Sequence, residues 1–147
     1  MSTPRRHRPQ AGAAAVEFAL VSTIFFMLLI GAAEMGRLLW TWNAAVEATR
    51  KGARMAAVCD IGDTDIKTRM IQMLPALSTS NITITYLNPG MADNTCTTAN
   101  CKSIQVSLTG FNYSTIVPFV PMTIALPPFT TTQRKEWMES TGNPACS

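Results

Sequence analysis

From Ala13 to Ala33 the chain reads AAAVEFALVSTIFFMLLIGAA, about 21 residues that are apolar except for Glu17 and the pair Ser22-Thr23. At about 1.5 Å per helical residue this run covers about 31 Å, the thickness of a bilayer's hydrocarbon core. What precedes it is short, polar and basic, with Arg5, Arg6, His7 and Arg8. Basic residues just before an apolar span read as a topology signal that keeps the N-terminus cytoplasmic. Trp40 and Trp42 follow at the depth where an aromatic belt meets lipid headgroups. A soluble protein's core helix is the competing reading, and the length, the basic flank and the tryptophans weigh against it.

The 147 residues carry a formal charge of +3, which equals the charge of Arg5, Arg6 and Arg8, so residues 13 to 147 sum to zero. Nothing downstream resembles a phosphate-tracking stripe, and no nucleic-acid partner is expected. The only histidine is His7, in the basic leader. That excludes Ser-His-Asp and Cys-His catalysis and the usual histidine zinc sites.

No proline occurs between Pro9 and Pro75, and NAAVEATRKGARMAAV, residues 43 to 58, is rich in helix formers. Ala45, Ala48/Thr49, Gly52 and Ala56 give it a stripe of small residues. One helix is therefore expected from about 13 to 57, roughly 67 Å at the standard rise. That exceeds a bilayer, so the second half must pack on something else. CDIGDTD then breaks the pattern, and Asp63 or Thr64 is placed to cap a short helix over about 65 to 74, ended by Pro75. Ile66, Met70 and Met73/Leu74 would form its core face, with Met55, Met70 and Met73 as core filler.

Beyond residue 80 the period changes to two. NITITYL (81 to 87) and SIQVSLT (103 to 109) alternate as strands, the second continuing towards Phe111 and Tyr113. The loop between them has the turn residues Pro89-Gly90 and Asp93-Asn94. A third strand falls either at Val120 to Leu126 or after Pro127-Pro128 through FTTTQRKEW, with the prolines confining it to an edge. The expected fold class is α+β, a long N-terminal helix whose first half is transmembrane, with a small antiparallel sheet packed on its outer half. Four segments follow: a leader at 1–12, the helix at 13–57 with its span at about 13–33, a loop and short helix at 58–80, and a β-rich head at 81–147.

The four cysteines, Cys59, Cys96, Cys101 and Cys146, all lie beyond the apolar run. An even count in a short extracytoplasmic segment suggests disulfides. Cys96 and Cys101 form C-x4-C, open to metal, redox or structural readings; the spacing is not that of a thioredoxin motif, and zinc would need all four cysteines. A local Cys96–Cys101 bridge is the favoured reading, with Cys59–Cys146 as the second pair and no metal or other cofactor expected. Asp60, Asp63 and Asp65 suggest at most weak Ca²⁺ binding, without EF-hand spacing or its glutamate. Glu34 and Arg37 are spaced to pair on one helix face, Ala32 and Gly36 to allow close helix contact, and Lys51 and Arg54 read as exposed charges.

Glu17 needs its own account. A charge at the centre of a span costs about 2.5 to 3.5 kcal/mol on insertion scales, and less near an end. A tolerated interfacial acid is one reading. The other takes Gly12 with it: a cut after Gly12 makes Ala13 a free ammonium, with Glu17 one helical turn deeper. In a bundle, one subunit's ammonium can then meet a neighbour's carboxylate and set register.

The leader, Gly12, then AAAVEFAL resembles the processing site of type IV prepilins. The fuller run QAGAAAVEFALVSTIFFMLLIGAAEMGRLLW followed by NAAVEATRKGARMAA resembles the TadE-like family, minor pilins or pseudopilins of the tight-adherence (Flp) pilus system. The resemblance covers about residues 10 to 57, anchored by G-AAAVEFAL and by a small-residue segment ending in Gly52-Ala53-Arg54. Family members often carry proline a few residues after the glutamate, where this chain has Ser22-Thr23. A kink there is left open.

The resemblance implies cleavage between Gly12 and Ala13 by a membrane prepilin peptidase. It implies a non-catalytic, single-pass inner-membrane protein with a cytoplasmic N-terminus and a periplasmic head. Its partners would be the bilayer, sister pilins or pseudopilins and the pilus assembly platform. The protein would serve pilus assembly, initiation and adhesion, either at the membrane or within an extracellular pilus. Two alternatives stay open: a secreted protein cut after Ala33 by signal peptidase, and a plain anchored periplasmic protein.

Overall fold

The structure is a computed structural model that describes residues 11–90, 92–117 and 121–146. Arg5, Arg6 and Arg8 lie outside the described residues. By its contacts the chain divides into two units, Met1–Arg37 and Leu38–Ser147. A single helix, α1, is continuous over Ala11–Val58, starting two residues before the expected point and ending one after it.

The described part of the first unit, residues 11–37, is helix, and none of residues 12–37 is buried. Val16, Phe18, Leu20, Val21 and every large apolar residue through Ile30 are exposed. No residue of the apolar window is buried, and the helix is long and apolar enough to cross a membrane. Ser22 and Thr23 do not interrupt it. Their hydroxyls donate to the Ala19 carbonyl at 3.1 and 2.7 Å, so neither is left unsatisfied in an apolar medium.

The second unit is the head, built on residues 38–58 of α1. The small-residue stripe is its floor: Ala45, Ala48, Thr49, Gly52, Ala53 and Ala56 are all buried. Small side chains let neighbouring elements approach, and the bulk comes from those elements. The helix α2 (Thr64–Met73) is capped by Asp63, whose side chain accepts from Asp65 N at 3.0 Å. It contributes Ile66 and Met70, with Leu74 just beyond its end, while Met73 is only partly covered. After a 3-10 turn (Thr79–Asn81) come β1 (Ile82–Leu87), β2 (Ser103–Leu108), β3 (Asn112–Ser114), β4 (Thr123–Ala125) and β5 (Phe129–Arg134).

β2 lies between β1 and β5, antiparallel to both. Ile82, Tyr86, Ile104, Val106, Leu108 and Phe129 face the core, and the opposite face carries Thr83, Thr85, Ser103, Gln105, Ser107, Thr130 and Thr132. Period-two alternation thus gives one apolar and one hydroxyl-rich face.

Two expectations change. The strand at 103 to 109 does not run on towards Tyr113: Gly110, at φ +64°, turns the chain, and Asn112–Ser114 pairs instead with Thr123–Ala125 in a separate two-stranded sheet. The alternatives for a third strand are not exclusive. The first becomes β4, shorter than expected, and the second becomes β5, on an edge as its preceding prolines require.

The end of α1 is closed by the far end of the chain. Glu136 N donates to the Ala57 carbonyl at 3.0 Å and Glu139 N to the Val58 carbonyl at 2.9 Å, satisfying groups that a helix C-terminus leaves open. Ser140 adds a polar knot: its N donates to Asp60 Oδ2 at 3.1 Å and its hydroxyl to Asp63 Oδ2 at 2.7 Å. A disulfide joins Cys59 to Cys146 with Cα atoms 5.6 Å apart, and a second joins Cys96 to Cys101.

Candidate functional site

The chemistry-bearing residues singled out in the sequence fall in both units. In the first, Gly12, Ala13 and Glu17 occupy the opening turns of α1. Gly12 has open space where a Cβ would stand, so among the described residues nothing demands glycine there. Glu17 is exposed, beside Val16 at 60% exposure and Phe18 at 74%. At the end of this unit Arg37 Nη1 contacts both Glu34 carboxylate oxygens, at 3.0 and 2.9 Å, the expected i,i+3 pair. Gly36 likewise has open space where a Cβ would stand, so among the described residues nothing makes a close contact at that position.

In the second unit the Gly52-Ala53-Arg54 segment separates into two roles. A Cβ built on Gly52 would fall onto Met70 Sδ and stand 3.1 Å from its Cγ, and Met70 is fully buried. Gly52 is therefore the crossing point of α1 and α2. Ala53 is buried beside it, whereas Arg54 is exposed. Gly52→Val is expected to cost about 2 to 3 kcal/mol, because added bulk in a packed core forces neighbours off their rotamers. Urea unfolding of the protein in detergent reads this. A smaller effect in a Met70→Ala background would tie the cost to this contact.

Trp42, placed in a headgroup belt by the sequence, stacks edge-on against Phe129 with ring centroids 5.0 Å apart, while Trp40 stays largely exposed. Further along, Thr131 Oγ1 donates to Thr49 Oγ1 at 3.1 Å, and Thr49 Oγ1 donates to the Val46 carbonyl at 2.7 Å. Beyond the two threonines themselves, no local pattern marks this pair, of which Thr49 is buried and Thr131 half-buried. Cys59, Asp63 and Cys146 converge, but the two sulfurs are bonded to each other and Asp63 accepts from Ser140 and Asp65. That geometry belongs to a structural knot rather than a metal centre. The Asp60–Asp63 loop is spent the same way. Tyr86 has its pKa raised: burial disfavours the phenolate, the Gly62 N–H donating to its oxygen pulls the other way, and nearby Asp63 adds to the rise.

An exposed apolar helix that is long enough to cross a membrane, followed by a disulfide-stapled α+β head, suggests a class of membrane-anchored protein. Residues 12–54 match the model of the TadE-like protein family. The match takes in the apolar helix, Glu17 and the Gly52-Ala53-Arg54 segment, and suggests association with the Tad pilus machinery and membrane anchoring. Comparison with curated proteins and with solved structures gives no match.

Proposed function

We propose that this protein is a minor pilin or pseudopilin of a tight-adherence type pilus, acting in its assembly or initiation and performing no catalysis of its own. One observation carries the reading: α1 exposes apolar side chains continuously from Val16 to Ile30, with Glu17 as the one carboxylate among them. A helix apolar on all sides is stable only in lipid or among similar helices. A subunit that passes from membrane to filament needs both surroundings in turn. The TadE-like match over residues 12–54 supports the same reading.

On this proposal a prepilin peptidase removes residues 1–12 on the cytoplasmic side, the helix spans the inner membrane, and the head is periplasmic, where its disulfides form. Sister pilins and the assembly platform are the partners. The intact mass and N-terminal sequence of the protein isolated from its native membrane test this. A chain starting at Ala13 is expected. A start at Glu34 would identify a secreted protein, and a retained arginine leader a plain anchored one; either result ends the pilin reading.

A further inference from the structure

Along α1 the head begins at Leu38, and its first part is free of charge. Neither residues 38–46 nor residues 103–133 contain an acidic or basic side chain; the head's charged residues fall from Glu47 to Lys102 and from Arg134 onward. The fold brings these two neutral segments together. Phe129, the first residue of β5, stacks on Trp42 and pairs with Leu108, the last residue of β2. From there β5 runs the same way as α1, since Thr131 meets Thr49 and Glu136 N meets the Ala57 carbonyl. The three-stranded sheet thus stops level with Trp42, yet Leu38 still packs on the core and Thr41 is buried.

The β3–β4 hairpin springs from that same end. Leu126 N donates to the Phe111 carbonyl at 3.0 Å, each residue lying three positions from the Phe129 and Leu108 pair. Tyr113 and Ile124 face each other in the hairpin's ladder and pack on the same core as Leu38. Pairing continues outward, where Thr115 N donates to the Met122 carbonyl at 3.0 Å. There the surroundings change: Ile116 is 71% exposed and Met122 51%. On α1, Leu39 and Trp40 are exposed as well, at 56% and 62%. Exposed apolar groups gathered in this way mark a contact with protein or membrane.

We propose that the hairpin descends past Leu38 and that Ile116 and Met122 enter the headgroup layer of the bilayer beside Trp40. The occupant follows from continuity. α1 carries its apolar surface from the candidate span, where none of the apolar window is buried, on to Leu39 and Trp40. Lengths agree with this. Trp42 stands about 14 Å of helix beyond Ala33, and the headgroup layer takes up about 5 to 8 Å of that distance. Phe111 to Ile116, at the strand rise, reaches about 16 Å. Apolar and aromatic side chains enter such a layer without needing a charged partner, which suits an end that has no charges to offer. The inference rests on membrane anchoring and not on the pilus reading.

The test places the full chain in phosphatidylcholine nanodiscs, one chain per disc, with methyl-labelled methionine and lipid spin-labelled at its headgroup. Met35, two residues past Ala33, should lose its methyl signal, and Met122 should lose its own with it. Met138 is buried beside Glu139, whose N binds the Val58 carbonyl at the far end of α1, and should keep its signal. Ile116→Asp should restore the Met122 signal but not that of Met35. Because Ile116 is exposed, an unchanged urea midpoint would confirm that the head stays folded. Survival of the Met122 signal in the unaltered chain while Met35 is lost overturns the proposal, as does its continued loss in the Ile116→Asp variant. A surviving Met35 signal would remove membrane anchoring itself, and the proposal with it. A shift of Met122 without spin label, on passing from one chain per disc to two, would make a second copy the occupant and overturn the lipid contact.

Discussion

Removing the Cys59–Cys146 bridge by paired alanine substitution is expected to lower the stability of the head by about 4 to 5 kcal/mol, against about 2 kcal/mol for Cys96–Cys101. The difference follows from loop-closure entropy, which grows with the enclosed length. The first bridge joins residues 87 apart in sequence and the second residues 5 apart. Native geometry adds to the contrast. Beside the long bridge, Glu136 and Glu139 close the last carbonyls of α1 and Ser140 binds Asp60 and Asp63. Without the bridge, this knot must hold the terminal segment alone. For a domain whose whole margin is commonly 5 to 15 kcal/mol, the loss is a large share. Urea titration of both variants in detergent, with an unchanged m-value, measures it; equal costs for the two bridges would refute the loop-length account. Amide exchange should accelerate from about residue 55 to 66 in the first variant and stay slow there in the second.

The sequence made the local features legible and left the long-range ones obscure. α1 could be read because its residues share one rule for over forty positions: no proline, few glycines and abundant helix formers. Asp63 announced the cap of α2, and strict alternation announced β1 and β2. The break at Gly110 was harder, because an isolated glycine inside an alternating pattern marks a bulge as readily as a turn. Both proposed third strands existed, and periodicity alone could not say that they belong to different sheets. The reach of Glu136, Glu139 and Ser140 across about 80 residues left no local trace. Nor did the meeting of Gly52 with Met70, although the family resemblance had already marked Gly52. The candidate site divides along the same line. The apolar surface and its carboxylate can be read from composition, whereas a groove lined by Arg54, Met73, Gln133 and Ala145 exists only once four separated segments have come together.

Glu17→Ala is expected to leave the protein in the membrane and to lower pilus formation at least tenfold. Insertion should not suffer, because a carboxylate within the span opposes it, by up to about 3 kcal/mol at the centre and less at Glu17's depth. Removing the charge can only favour the inserted state. Assembly is different. In the bare helix Glu17 stands among exposed apolar side chains, a position that becomes costly once neighbouring helices exclude water. Packing of apolar helices fixes axial register poorly, whereas a carboxylate that must find one cation fixes it to a single turn. If cleavage after Gly12 creates that cation at Ala13, the variant loses register while keeping its apolar attraction. Fractionation should therefore find Glu17→Ala wholly in the membrane, processed and folded, yet with few surface pili and weak co-purification with sister subunits. Blocking cleavage with a Gly12→Leu substitution should give the same assembly defect by removing the other half of the pair. Normal piliation in either variant would exclude the pairing, and failure of Glu17→Ala to reach the membrane would show that the acid serves insertion instead.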